Sequence, residues 1–162
     1  VFIIGESYYK EVNEYYDPRS NITTYSDSYY YGTIWVTKYN PLGEVVYTSR
    51  VPKSQISIND DGIFLSFVAT MINNNVFIFY NDHEKNADLS YQKENDFKDF
   101  QNMRRAAITC AKLTESGAVE KVFAQEIPNN FIMIPQNSEP FENKVYFVAE
   151  KGREVQVLKF QP

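Results

Sequence analysis

Cysteine, histidine and tryptophan occur once each in this 162-residue chain. A lone Cys110 excludes an internal disulfide framework and a thiolate zinc cluster, and a lone His83 excludes multi-histidine metal sites. No stretch approaches the roughly 18 uninterrupted apolar residues of a membrane helix, so no membrane span is expected. The 16 basic residues are outnumbered by 21 acidic ones, giving a net charge of -5. That balance disfavours nucleic acid as a partner, because affinity for phosphate backbones rests on clustered Lys and Arg. The strong helix formers Ala and Leu are sparse, whereas 13 Tyr and 12 Phe are present, a balance that predicts β-structure. Most catalytic vocabulary is missing, and no catalytic residue, metal ligand or cofactor is assigned.

What is there is a repeat. The run from Thr33 to Val46 (TIWVTKYNPLGEVV) returns at Ala107 to Glu120 (AITCAKLTESGAVE), matching Lys38 to Lys112, Gly43 to Gly117 and Val45 to Val119 without a gap. A third, partial copy runs from Val155 to Pro162 and ends where the turn would begin. Upstream of each copy stands a short apolar run: Val1 to Glu6, Val76 to Asn81 and Val145 to Glu150. Near-continuous apolar runs of this length are the pattern of strands covered on both faces. Further apolar runs, Ile63 to Ile72 and Phe131 to Ile134, precede the second and third copies, and Asn73-Asn74-Asn75 supplies a turn. Asn40-Pro41-Leu42-Gly43 and Thr114-Glu115-Ser116-Gly117 both suit a type I turn with a glycine bulge, which makes each copy a hairpin.

The repeat therefore predicts an all-β chain of antiparallel four-stranded units, the blades of a partial β-propeller, with a β-sandwich of two similar hairpins as the alternative. The array covers residues 1–162, with blade parts 1–52, 53–126 and 127–162. Because a propeller takes 4 to 8 blades to close and Val1 lies inside an apolar run without a signal-peptide pattern, the chain reads as a C-terminal fragment of a longer propeller. Its edge strands are expected to pair with the missing part of the chain or with another copy.

An apolar strand ending in Gly5-Glu6, a strand ending in Val36-Thr37-Lys38-Tyr39, then Asn40 to Gly43 and a valine strand resemble the β-propeller repeats of secreted Bacteroidetes proteins. The Asn and Tyr richness is similar too. The resemblance covers most of the chain and its motifs specify turns and strands. It implies a periplasmic or extracellular location and brings no catalytic residues with it.

Between the upstream run and the repeated strand, the first two copies carry long insertions, whereas the third makes the connection through Lys151 to Glu154. Such insertions project from one rim and commonly form a binding face. The first, Ser7 to Gly32, is read as a rim loop and holds eight of the thirteen tyrosines. Tyr8, Tyr9, Tyr29, Tyr30 and Tyr31 are the candidate contacts, since tyrosine offers a large amphipathic surface at low entropic cost; a role in pinning the loop competes. In the second insertion, Asp82 to Ala106, the spacing of Phe97, Phe100 and Met103 predicts an amphipathic helix near Asp96 to Arg105. Asn59-Asp60-Asp61-Gly62 is a turn in preference to a calcium loop. Cys110 is a small buried hydrophobe. Glu6 and Glu150, at equivalent strand ends, are the only carboxylates whose positions suggest a converging pair.

Two functions follow. The first is a non-catalytic binding or scaffolding propeller module of the bacterial cell envelope, with a protein or a glycan as partner. The alternative is a glycan-processing propeller enzyme, a hydrolase or lyase, whose site further blades complete.

Overall fold

A computed structural model describes residues 1–101, 103–126, 131–142 and 144–160. The chain is all-β, and no α-helix occurs among these residues. It forms three open antiparallel sheets, each drawing on four strands. The first contains β1 (Phe2–Asp17), β2 (Ile22–Tyr39), β3 (Val45–Val51) and β4 (Gln55–Ile58) in the order β1-β2-β3, with β4 also on β2. The second is a meander of β5 (Val68–Ile72), β6 (Asn75–His83), β7 (Ala106–Leu113) and β8 (Val119–Glu126). The third has β9 (Ile132–Met133), β10 (Glu139–Phe141), β11 (Lys144–Lys151) and β12 (Glu154–Phe160), in the order β10-β11-β12 with β9 on β11. Since β4 pairs with β2, the first unit extends past the expected boundary at residue 52. Gln161 and Pro162 of the third copy lie outside the described residues, as does the start of the third unit, 127–130.

The repeat is a repeat of register. Ile4 faces Val36, Phe79 faces Cys110 and Val148 faces Val157 across equivalent strand pairs. Val36 faces Ser49 as Cys110 faces Phe123. Local chemistry sets the turns: Gly43 and Gly117 take φ of 82° and 86°, a left-handed conformation that costs glycine nothing. Asn73 and Asn74, both at positive φ, make the β5–β6 hairpin of the type that matches strand twist.

Alternation decides the packing. Residues of β6 from Val76 to Asp82 are buried on both faces, because the second sheet lies between the other two. Val76, Ile78, Tyr80, Ala111 and Leu113 pack against Ile34, Val36 and Val51 of the first sheet. Phe77, Phe79, Ile108 and Cys110 pack against Val145, Phe147 and Ala149 of the third. Each large side chain so buried is worth about 1.5 to 3 kcal/mol. In β11 the phase corrects the reading of a fully covered strand: Tyr146 and Val148 are only half-buried, since the second sheet covers one face while the other is covered only in part, by the cluster of Tyr29, Phe64, Phe100, Ile132 and Ile134 that Val148 touches.

Both insertions also differ from expectation. Ser7 to Gly32 is no loop: β1 and β2 simply continue, paired residue by residue from Tyr8↔Tyr31 to Asp17↔Ile22, into a long two-stranded arm. Among the described residues the predicted helix near Asp96 to Arg105 is absent: 3₁₀ turns at Tyr91–Asp96 and Met103–Arg105 stand on either side of the extended residues 97–101. There Phe100 exchanges backbone hydrogen bonds with Ser54 and Ile56 and sinks its ring among Tyr29, Phe64 and Leu65. Burying that ring competes successfully with the period of three, which alone nucleates a short helix poorly.

Candidate functional site

The arm gathers the candidate tyrosines and sorts them by side. Directly opposed residues of an antiparallel pair project from the same face, so Tyr9 and Tyr30 share one face while Tyr8, Tyr31, Lys10 and Tyr29 share the other. A one-residue irregularity between Glu6 and Tyr8 sets this phase, offsetting the arm from the sheet below. At the far end Asp17 accepts from Arg19 N at 2.9 Å and Ser20 Oγ at 2.8 Å, which lowers its carboxyl pKa. Asn21 closes the turn at a φ of 53° and accepts from the Tyr16 hydroxyl at 2.8 Å.

One face of the arm is anchored. Tyr29 is buried, 6% exposed, and packs with Phe64, Leu65 and Phe100. Its hydroxyl donates to Asp61 Oδ1 at 2.9 Å, a bond that raises its pKa. Lys10 spans the same face, paired with Asp27 at 2.6 Å and standing over the Tyr29 ring. The expected turn Asn59 to Gly62 is what holds this face: Asn59 Oδ1 accepts from Asp27 N at 2.8 Å, and Asp60 Oδ1 from Gly62 N at 2.9 Å. Tyr31, half-buried, rests on Gly62, where an added Cβ would come within 3.2 Å of its ring.

The opposite face is open at Tyr9, with Tyr30 half-buried and Ser28 buried beside it. Tyr9 and Tyr30 stack with centroids 4.2 Å apart and planes 8° from parallel. The Tyr30 hydroxyl donates to Glu11 Oε2 at 3.3 Å. Tyr9 is exposed, and Tyr15, on the same face by alternation, stands about 20 Å further out at the usual rise per residue. Tyr8, exposed, tilts against Tyr31 at 4.8 Å. Of the five candidates, then, Tyr8 and Tyr9 offer ring surface to solvent, Tyr30 and Tyr31 are half-buried and offer part, and Tyr29 is committed to the core. Tyr15, Tyr16 and Tyr25 at the tip are exposed too; the Tyr and Thr content of 22–31 is the signal that favours strand over loop here.

At the base of the arm a buried polar network joins all three sheets. Lys53 and Glu6 form an ion pair, with the Lys53 side chain wholly buried. Burial drops the lysine pKa to about 8, against the pull of Glu6. Lys53 Nζ donates to Gln55 Oε1 at 2.6 Å, Ser66 Oγ to Glu6 Oε2 at 2.7 Å, and Gln55 Nε2 to the Asn81 carbonyl at 2.7 Å. Asn81 Nδ2 in turn donates to Phe64 O at 2.8 Å and Met133 O at 2.7 Å. Glu6 is therefore engaged by Lys53 and Ser66, whereas Glu150 sits in β11 facing Val155 and Ile132; no carboxylate pair is shown. Asp82, raised in pKa by burial, accepts from His83 N and Asn86 Nδ2 and fastens the second insertion. Cys110 is fully buried and its thiol pKa is pushed up, as suits a packing residue. Among the described residues, no three His, Cys, Asp or Glu side chains are grouped to hold a metal ion, and no helix is long and apolar enough to cross a membrane.

Comparison of the chain with family models, curated proteins and solved structures returns no match.

Proposed function

We propose that the chain is a binding or scaffolding module of the cell envelope, part of a β-propeller whose blades are the three stacked sheets. The arm is its recognition element, and its partner a protein or glycan surface. One observation carries this: the stacked pair of exposed Tyr9 and half-buried Tyr30 on an arm built from continuous strand. A flat aromatic pair held by a hairpin gives large contact area with little ordering cost on binding. The anchored Tyr29 face supports the same reading, because it holds the arm rigid while leaving the other side free. An enzyme is disfavoured by Glu6 being tied to Lys53 and Ser66. A glycan array and a pull-down against envelope proteins test the proposal. Binding that is lost when residues 8–31 are replaced by a short turn is the expected result; release of reducing sugar from a bound glycan would point to the enzyme instead.

A further inference from the structure

Both sheet–sheet contacts inside this chain use the same two faces in the same order. In the first sheet Ile4, Ile34 and Val36 point forward, onto Ile78 and Leu113 of the second. In the second, Phe79, Ile108 and Cys110 point forward onto Phe147 and Leu158 of the third. Register makes these equivalent: Ile4, Phe79 and Val148 pair with Val36, Cys110 and Val157. The stack is thus directional, forward face to backward face, twice over.

Among the described residues two faces are left largely open, although at β9 the forward face of the third sheet is covered, where Ile132 and Ile134 pack with Phe64, Leu65 and Phe100. The backward face of the first sheet presents Ile3, 59% exposed, and Trp35, 47% exposed. The forward face of the third presents Val155 and Val157, 63% and 65% exposed. We propose that these two faces bind each other between copies of this chain, the third sheet of one copy stacking on the first sheet of the next, so that two copies close head to tail.

The occupant is argued from continuity with the internal interfaces. Val157 stands where Val36 and Cys110 stand, and each of those is fully covered by a backward face. Ile3 stands where Ile78 stands, which a forward face covers completely. The polar contacts have the same logic. Lys38 Nζ donates to the Glu115 carbonyl at 3.5 Å, in the Gly turn of the following sheet. Lys159 is the matching lysine of the third sheet and is exposed, and Pro41 is the matching residue of the first sheet's turn. Lys159 of one copy and the Pro41 carbonyl of the other are the predicted contact. A contact between unlike faces generates rings when the rotation closes. Two copies supply six sheets, within the 4 to 8 of closed propellers; the closure, unlike the docking, rests on the propeller reading.

The experiment is sedimentation of the whole chain with variants at the two faces. The wild type is expected at twice the 18.9 kDa chain mass, with Val157→Asp and Trp35→Asp each shifting the protein to a folded monomer of unchanged circular dichroism. Mixing the two variants should restore a dimer, because each retains the face the other lacks. Lys159→Glu, which asks nothing of the fold, should weaken dimerisation tenfold or more. Arm variants such as Tyr9→Ala should leave the mass unchanged, so failure of ligand binding and failure of docking read out separately. A wild type that stays monomeric at on the order of 100 µM, a dimer that survives both face variants, variants that do not complement each other, or an open ladder of oligomers would each overturn the proposal.

Discussion

Gly117 lies directly under the ring of Tyr47, so close that a Cβ added to it would stand 2.7 Å from Cγ. Tyr47 belongs to the first sheet and Gly117 to the β7–β8 turn of the second. Ser49 Oγ donates to the Gly117 carbonyl at 2.6 Å beside it. The equivalent Gly43, in the turn of the first sheet, has nothing within 4 Å of its Cβ position.

This pair of glycines separates backbone strain from packing. Gly43→Ala carries only the left-handed penalty, about 1 to 2 kcal/mol. Gly117→Ala carries that penalty and the displacement of Tyr47, typically a further 1 to 3 kcal/mol for overpacking. Urea unfolding of the two variants measures the difference, and equal losses would mean that the Tyr47 contact contributes nothing to the stacking.

Asn81 should be the most sensitive polar position. Its amide serves Phe64 O and Met133 O, and its Oδ1 accepts from Met133 N at 3.3 Å. Asn81→Ala removes all three bonds and strands buried backbone groups, each costing about 1 to 3 kcal/mol when unpaired. A loss of at least about 2 kcal/mol in denaturant titration is expected; a loss below 0.5 kcal/mol, the scale of surface changes, would show that water replaces the amide freely.

The repeat was legible because turn chemistry and apolar runs recur with their spacing: Gly43 and Gly117, Ile4 and Phe79 lie where the sequence places them. What escaped has physical reasons. Residues 7–32 read as a loop because only the base of the arm is covered, at Ser28 and Tyr29, so most of its polar and aromatic alternation has no buried side to mark it. Tyr29 looks like Tyr30 in sequence, yet the turn at Asn59 to Gly62, distant along the chain, decides which of them is buried. Lys53 carried no signal, since a buried lysine is visible only once Glu6 is brought to it. Phe100 shows a long-range contact overriding a local period of three.

Stability should rise with pH across the range where Lys53 titrates. In the unfolded chain this lysine has its ordinary value of 10.5, and in the folded protein about 8. Between those values the unfolded state holds a proton that the folded state has released, so raising the pH favours folding. Below about 8 both states are protonated, and the cost of burying the ammonium is present in full. Over pH 8 to 9.5, below the ordinary tyrosine range, the wild type should gain roughly 1.5 kcal/mol relative to the Glu6→Gln, Lys53→Met double variant. A constant difference between the two unfolding curves across that window would show that Lys53 is not desolvated.

The two faces of the arm predict opposite phenotypes for neighbouring tyrosines. Tyr29→Ala removes a buried ring and leaves Asp61 without its donor, which should cost about 3 to 5 kcal/mol as for other buried aromatics. Tyr9→Ala removes an exposed ring and only the cross-strand stacking with Tyr30, about 0.2 to 1 kcal/mol. For a ligand held on the open face the order reverses. Tyr9→Ala should weaken binding by about 2 kcal/mol, roughly thirtyfold, as truncation of an aromatic anchor does, while Tyr29→Phe, which keeps the ring in the core, should leave affinity unchanged. Thermal unfolding and titration with whichever glycan or protein the arm retains check both halves. Equal stability losses at positions 9 and 29 would mean that the arm is covered on both sides and is a structural strap, and an affinity indifferent to Tyr9 and Tyr30 would move the contact surface off the arm.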